Sequence, residues 1–414
     1  MIYAKYTPGD EINHESDNSG HYRVYYEKGI KSIELFDPTE DESPTFYYDR
    51  HDLALRNIEF MNFLGFNEWK VFKTNINSRI IINFTDDYLN ILDLKRIGRV
   101  IKIKALDASR ITLAVMDPLF KQFIEKEFTK VGIKGMNIVV YPHLLKTTIA
   151  PQNLDNSTSY KFSALSRNYS ATRLELYLRL LEDNSLPDFQ FSFHNLKPYH
   201  FQGPISIEKM KLDAVERFGS KTPRMEGFLE GVPYDLGQPE YKWSDVTFDA
   251  IYNSDIHLLV ESHFDCYLDG IWSYAKEEHN EEEFAPAFAT EKTYKVINCK
   301  RPFIAFSTPY FLRGMNEMGL KTFSPYIDES YDTILDNTER MKAIVAEVKR
   351  IRTLPQDEYE TLISNIKPIT EHNFNFFVEM HQDTSLLEND KDLRQILPFQ
   401  PQTIVTKRLN PKIY

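Results

Sequence analysis

The residues with the plainest chemical promise are Thr290-Glu291-Lys292-Thr293-Tyr294-Lys295. A threonine ahead of such a run is a natural helix N-cap. The free backbone amides of the first turn, with the helix dipole behind them, then make a ready anion site. Lys292 and Lys295 stand three apart on one side of that helix and add two cations beside it. A diphosphate placed there meets amides, a hydroxyl and ammonium groups together. The same residues also describe an ordinary capped helix with a Glu291–Lys295 pair worth about 0.3 kcal/mol.

A second constellation is basic. Lys95, Arg96, Arg99, Lys102, Lys104 and Arg110 gather against Asp107, and such a strip can track phosphates. A solvated strand and loop accounts for it equally. Other chemistry is thin. The 11 histidines form no ligand-like cluster, and Cys266 and Cys299 have neither zinc spacing nor a disulfide framework. Asp390-Lys391-Asp392 lies in an acidic tail, and no Gly-x-Gly-x-x-Gly or P-loop occurs. Neither a metal nor a resident cofactor is expected.

The elements that must position these groups alternate. Ile80-Ile81-Ile82-Asn83-Phe84 and Ile111-Thr112-Leu113-Ala114-Val115 are β-branched runs of the form buried strands take. Asp117-Pro118 opens a helix with Leu119, Phe120, Phe123, Ile124, Phe128 and Val131 on one face, closed by Gly132. With the strand at 136–141 this is a βαβ unit and hence a parallel sheet. The second half repeats the logic. A helix carries Leu174, Tyr177, Leu178 and Leu181, and the strand Ile256–Val260 ends on Glu261. Helices follow at 290–299 and 309–318, strands at 302–306 and 321–323, and Asp336-Asn337-Thr338-Glu339 begins a last amphipathic helix.

The fold class read from this pattern is α/β, with two Rossmann-like domains facing a cleft at the strand carboxyl ends. The first spans 51–155 and the second 156–385. An acidic peripheral segment, 1–50, read as a hairpin or cap, precedes them, and a tail, 386–414, follows. A net charge of −12 argues against a surface that coats polyanions as a whole, although the charge is uneven: residues 1–50 hold 5 basic and 11 acidic side chains. No apolar run approaches the ~20 residues that cross a bilayer, and residues 1–15 lack an apolar signal core, so a cytoplasmic chain without a membrane partner is expected.

The order of four submotifs then points to a family. Phe288–Val296, Arg301–Phe306, Gly319–Phe323 and Asp328–Asp332 resemble the C-terminal signature of a group of glycosyltransferase-like proteins common in tailed-phage genomes. Their core is similar to the donor-binding Thr-Glu-Lys motif of the α-1,3-fucosyltransferases, a GT-B family. Phe162–Arg173 resembles that phage group's Leu-Asn-Arg…His-Arg motif, with Ser166, Ser170 and Thr172 departing from it. Together these cover roughly residues 160–375.

The resemblance implies that Lys292, Lys295 and Arg173 neutralise the diphosphate of a nucleotide-sugar donor, UDP-sugar first. It implies that Glu291 binds hydroxyls, Arg167 anchors the donor from the opposite wall and Glu261 sits on the cleft floor, with Thr290 capping the helix. Asp328, Glu329 and Asp332 belong to the signature, and capping around the last strand explains them too. A catalytic base is expected from the first half, at Asp86 or Asp87 behind the strand 80–84. The phage setting suggests double-stranded DNA as acceptor, at 5-hydroxymethylcytosine, with Lys95, Arg96, Arg99, Lys102 and Lys104 on its phosphates, in the host cytoplasm if phage-encoded. A surface glycan is the competing acceptor, and a non-catalytic interaction module the competing class.

Overall fold

The computed structural model describes residues 2–4, 31–32, 43–49, 66–84, 91–115, 118–140, 158–196, 204–218, 222–234, 236, 243–261 and 289–382. By packing they fall into two compact units, one drawn from residues up to 140 and the other from residues 158–382. Asp86, Asp87, the acidic stretch 277–283 and the tail 386–414 lie outside the described residues.

The first unit is a six-stranded sheet, ordered β2-β1-β3-β4-β5-β6 and parallel throughout. Its strands are β1 (Ile2–Ala4), β2 (Lys31–Ser32), β3 (Thr45–Asp49), β4 (Arg79–Phe84), β5 (Ile111–Val115) and β6 (Asn137–Val140). Helices α1 (Phe66–Thr74), α2 (Ile91–Ile103) and α3 (Pro118–Lys130) connect the last four. Parallel neighbours joined in sequence by right-handed crossovers put all three helices on one face. Gly98 lets α2 approach closely there: a β-carbon at that position would sit 3.3 Å from Ile133 Cδ1.

Two expectations change in this unit. The described residues of 1–50 are sheet and not a peripheral hairpin or cap: β1 lies between β2 and β3, and all three pair in parallel. Phe46, Tyr47 and Tyr48 of β3 are buried, and Asn83 Nδ2 donates to the Tyr47 hydroxyl at 2.9 Å across to β4. Aromatic residues do here what β-branched ones do in β4 and β5. The basic stretch 95–110 is not strand and loop either: Lys95 to Lys102 ride on α2, and a single 3-10 turn (Ala108–Arg110) leads into β5.

The second unit holds four parallel strands ordered β10-β9-β7-β8. They are β7 (Tyr160–Asn168), β8 (Phe189–Leu196), β9 (Ser254–Val260) and β10 (Phe303–Phe306). The helices are α4 (Ala171–Glu182), α5 (Ile207–Phe218), α6 (Pro223–Glu230), α7 (Trp243–Tyr252), α8 (Glu291–Asn298), α9 (Phe311–Glu317), α10 (Asn337–Arg352) and α11 (Gln356–Gln382). Asp336 caps α10 by accepting from Glu339 N at 2.9 Å, and Met341, Ile344, Val345, Val348 and Ile351 face the core. The expected strand at 321–323 is absent. Its backbone pairs with a side chain instead: Lys321 N donates to Asn373 Oδ1 at 2.8 Å, and Asn373 Nδ2 returns a bond to Lys321 O at 2.9 Å.

His257 lies within the sheet opposite Ser163, whose hydroxyl is 2.8 Å from the imidazole Nδ1, and Ser254 donates to Ser163 at 2.6 Å. Burial pushes the histidine pKa from 6.5 down to about 3.

Two stability measurements follow from this packing. Phe46→Ala should cost the first unit about 3–5 kcal/mol in denaturant unfolding, whereas a cost near zero would return residues 43–49 to the periphery. Between pH 6.5 and 3 the unfolded chain takes up a proton that buried His257 refuses. Stability is therefore lost as pH falls, by about 1.4 kcal/mol per pH unit from this group. His257→Asn should flatten the acid-side slope of the urea midpoint by that amount, and an unchanged slope would remove the assignment.

Candidate functional site

In the second sheet the chain leaves β7 towards β8 on one side and returns to β9 on the other, so the winding reverses between β7 and β9. In open α/β sheets the carboxyl ends at such a reversal form the ligand crevice. The last paired residues there are Ala164 and Leu258. Three residues further on, the two chains reach Arg167 and Glu261.

Glu261 is 1% exposed, and its carboxylate sits on the N-terminus of α8. Its Oε1 accepts from Thr290 N at 3.1 Å and from Thr293 Oγ1 at 2.7 Å. The Thr290 hydroxyl lies 2.8 Å from each carboxylate oxygen and donates its one proton there. The same Thr290 oxygen accepts from Lys292 N at 3.3 Å, as an N-cap does. Glu261 N is fixed in turn by Phe306 O at 3.1 Å, at the end of β10. A buried carboxylate survives because charge-assisted bonds and the positive helix end replace its water.

The helix start expected to receive an anion is met from within the chain, by Glu261. Glu261 is not an open contact on a cleft floor, and the hydroxyl of Thr290 is already used. Together they fix where α8 starts. Lys292 is the group they present: its side chain is 32% exposed, and Nζ folds back to 3.3 Å from Thr290 Oγ1 and 3.7 Å from Glu261 Oε2. Lys295 parts from it. It sits about 4.5 Å further along the helix axis, where its charge bears on buried Cys299, a thiol pushed up chiefly by burial.

On the neighbouring strand end, Ser170 caps α4, accepting from Arg173 N at 3.1 Å. Arg173 itself is 3% exposed. A buried guanidinium in the first turn of a helix opposes the dipole and costs desolvation, an arrangement that favours anions nearby. Burial pushes the hydroxyl of Tyr177, one turn on, upward, and the charge of Arg173 opposes that shift. Arg167 and Glu291 are placed by backbone alone, at the end of β7 and the first position of α8.

The acids of the Asp328–Asp332 run take the capping role. Asp332 accepts from Leu312 N at 2.9 Å and Arg313 N at 3.2 Å at the start of α9, and burial raises its pKa. Glu329, also raised by burial, accepts from Phe323 N at 2.8 Å and Ser324 N at 3.1 Å. Sequence reasoning missed Arg340, which is 1% exposed and donates to Ile334 O at 2.6 Å. A lone arginine inside an amphipathic helix gives no pattern to find it by. Cavities of about 780 and 500 Å³, beside α9 and below β9 and β10, are lined by neither Glu261, Lys292 nor Arg173. Of the basic residues in the first unit, Arg99 and Lys102 are exposed and Lys104 is half-buried, while Lys95 and Arg96 are placed by backbone in α2. Among the described residues no cluster of His, Cys, Asp or Glu could hold a metal ion, and no helix is long and apolar enough to cross a membrane.

No protein-family model matches the chain, and no curated protein matches it in sequence. Solved structures do. A pneumococcal O-GlcNAc transferase, GtfA, in complex with UDP and GlcNAc is 10% identical with a TM-score of 0.44; the match covers 84% of this chain, which spans 58% of that one. A trehalose-phosphate synthase from Burkholderia vietnamiensis is 9% identical with a TM-score of 0.44, covering 92% and 77% of the two chains. A DNA modifying enzyme, β-glucosyltransferase, is 12% identical with a TM-score of 0.41, covering 95% and 99%. At such identities, the reading of this chain's chemistry rests on its own residues.

Glu261→Ala should orphan the Thr290 and Thr293 donors and remove the carboxylate beside Lys292, lowering the stability of the second unit by about 2–4 kcal/mol. Thermal unfolding reads this directly. A melting temperature equal to that of the parent would show that α8 does not depend on the carboxylate.

Proposed function

We propose that this chain is a glycosyltransferase that moves a sugar from a nucleotide diphosphate donor, UDP-sugar first, to a hydroxyl acceptor. One observation carries the reading: at the winding reversal of a parallel sheet, Glu261 and Thr290 fix a helix start beside Lys292, and buried Arg173 opens the helix on the next strand. As the glycosidic bond breaks, negative charge grows on the leaving diphosphate. Cations already in place stabilise that charge without reorganising solvent. Lys292 reaches a phosphate by leaving Glu261, from which it stands 3.7 Å away. Arg173 contributes from α4, Glu291 and Arg167 bind the sugar or ribose side, and Lys295 takes a supporting electrostatic part.

In the first unit, Asp86 or Asp87 follows β4 and takes the acceptor proton in this reading. The acceptor suggested by the sequence resemblance is 5-hydroxymethylcytosine in double-stranded DNA, with Lys95, Arg96 and Arg99 of α2 as phosphate contacts. The placement of Lys102 and Lys104 favours a second acceptor reading. Lys102 lies in the last turn of α2 and Lys104 just past it, about 20 Å, a helix length, from the strand carboxyl ends where a flipped base would be held, and a surface glycan is that second acceptor.

A thermal-shift panel with UDP, GDP, UDP-glucose and GDP-mannose on the parent chain and Lys292→Ala tests the donor site. A ligand at 100 times its Kd adds about 2.7 kcal/mol of stability. The expected result is a rise with the uridine compounds that Lys292→Ala removes. No rise with any nucleotide would sink the donor site and favour the interaction module.

A further inference from the structure

The opposite edge of the first unit carries a surface that the donor site does not use. Helices α1, α2 and α3 all run from the carboxyl ends of the strands back to their amino ends, and each carries a lysine in its last turn: Lys73, Lys102 and Lys130. Beside each stands an aliphatic side chain in solvent. Ile76 is 79% exposed, Ile103 61% and Val131 43%, three of the six large apolar residues exposed among the described residues. The other three, Tyr160, Leu212 and Leu335, belong to the second unit.

These helix ends form one continuous, firmly held edge. Trp69 Nε1 of α1 donates to Lys104 O behind α2 at 3.3 Å. Arg110 ties the turn after α1 to the start of β5, donating to Asn75 O at 2.7 Å and Phe72 O at 2.6 Å. A β-carbon on Gly135, in the turn after α3, would meet Ser109 Cβ at 3.8 Å. Exposed Lys70 and Lys134 extend the positive charge. The acids within the edge are engaged. Asp107 accepts from Ser109 N at 3.0 Å and pairs with Arg110 at 3.3 Å, and Glu127 pairs with Lys130 at 2.7 Å. On a chain of net charge −12, this edge is locally cationic.

Helix dipoles account for lysines at C-termini. They do not account for isoleucines beside them left in water. A phosphodiester backbone would use the lysines and leave the aliphatic tips idle, and a neutral bilayer would do the reverse. An anionic bilayer uses both, taking up short apolar side chains at its interface while its headgroups attract the lysines. We propose that the α1–α2–α3 C-terminal edge docks the first unit on an anionic lipid surface, lying on it rather than spanning it. The inference is independent of the donor reading.

Flotation of the full chain with vesicles of phosphatidylcholine alone, or of phosphatidylcholine with phosphatidylglycerol, tests it without any nucleotide. Binding is expected only when phosphatidylglycerol is present. Lys73→Gln with Lys102→Gln should weaken it on the order of 30-fold, from about a fivefold contribution per lysine near such a surface. Ile76→Ser with Ile103→Ser should leave binding that added salt abolishes. All four side chains point to solvent, so unchanged melting temperatures verify that both variants are folded. Equal binding to both vesicle types, binding to neither, loss of vesicle binding to competing duplex DNA, or lysine variants that bind as the parent does would each overturn the proposal.

Discussion

Parallel strands joined by crossover helices impose one constraint on which the rest of this molecule depends: within each unit the helices run opposite to the strands. Helix N-termini therefore collect at the strand carboxyl ends and helix C-termini at the other edge. The first edge has a positive field and the second a negative one before any side chain is chosen. In the second unit the positive edge receives Glu261 on α8. In the first unit the negative edge receives Lys73, Lys102 and Lys130. The two features are the same electrostatic rule read at opposite ends of the helices.

Glu261 shows how a buried charge can organise a site instead of burdening it. Its carboxylate links the end of β9 to the start of α8 through Thr290 and Thr293, and its backbone links β9 to β10. Lys292 is the half-exposed member of that group, 3.7 Å from the carboxylate. Arg173 has no such exposure: it is enclosed at the start of α4. One cation is enclosed and the other is half-exposed.

Much of this was legible in the sequence where local chemistry decides the outcome. The β-branched runs 80–84, 111–115 and 256–260 became strands, and Thr290, Asp336 and Gly319 punctuate helices as their types dictate. What was not legible depended on residues distant in the chain. β1 and β2 are three and two residues long, too short for any period to show, and acidic neighbours made them look peripheral. The stretch 321–323 had a strand's character, but its partner is the side chain of Asn373. The fate of Glu261 required knowing that Thr290, 29 residues away, would meet it. Lys292 and Lys295 were correctly put on one helix, yet spacing gives the angle between side chains more readily than the depth at which each one ends.

If the proposed donor site is right, the pairing of Lys292 with Glu261 has a consequence for selectivity. Because Lys292 already has a counter-ion, an incoming anion does not simply bind; it exchanges with Glu261. A weak or singly charged anion has little to offer in that exchange, whereas a diphosphate brings more charge than the carboxylate it displaces. When the diphosphate leaves, the carboxylate is waiting, so the lysine is never stranded without a partner. The carboxylate that sets the helix start is then also the competitor that any incoming anion must displace, as a bound counter-ion is on an exchange resin.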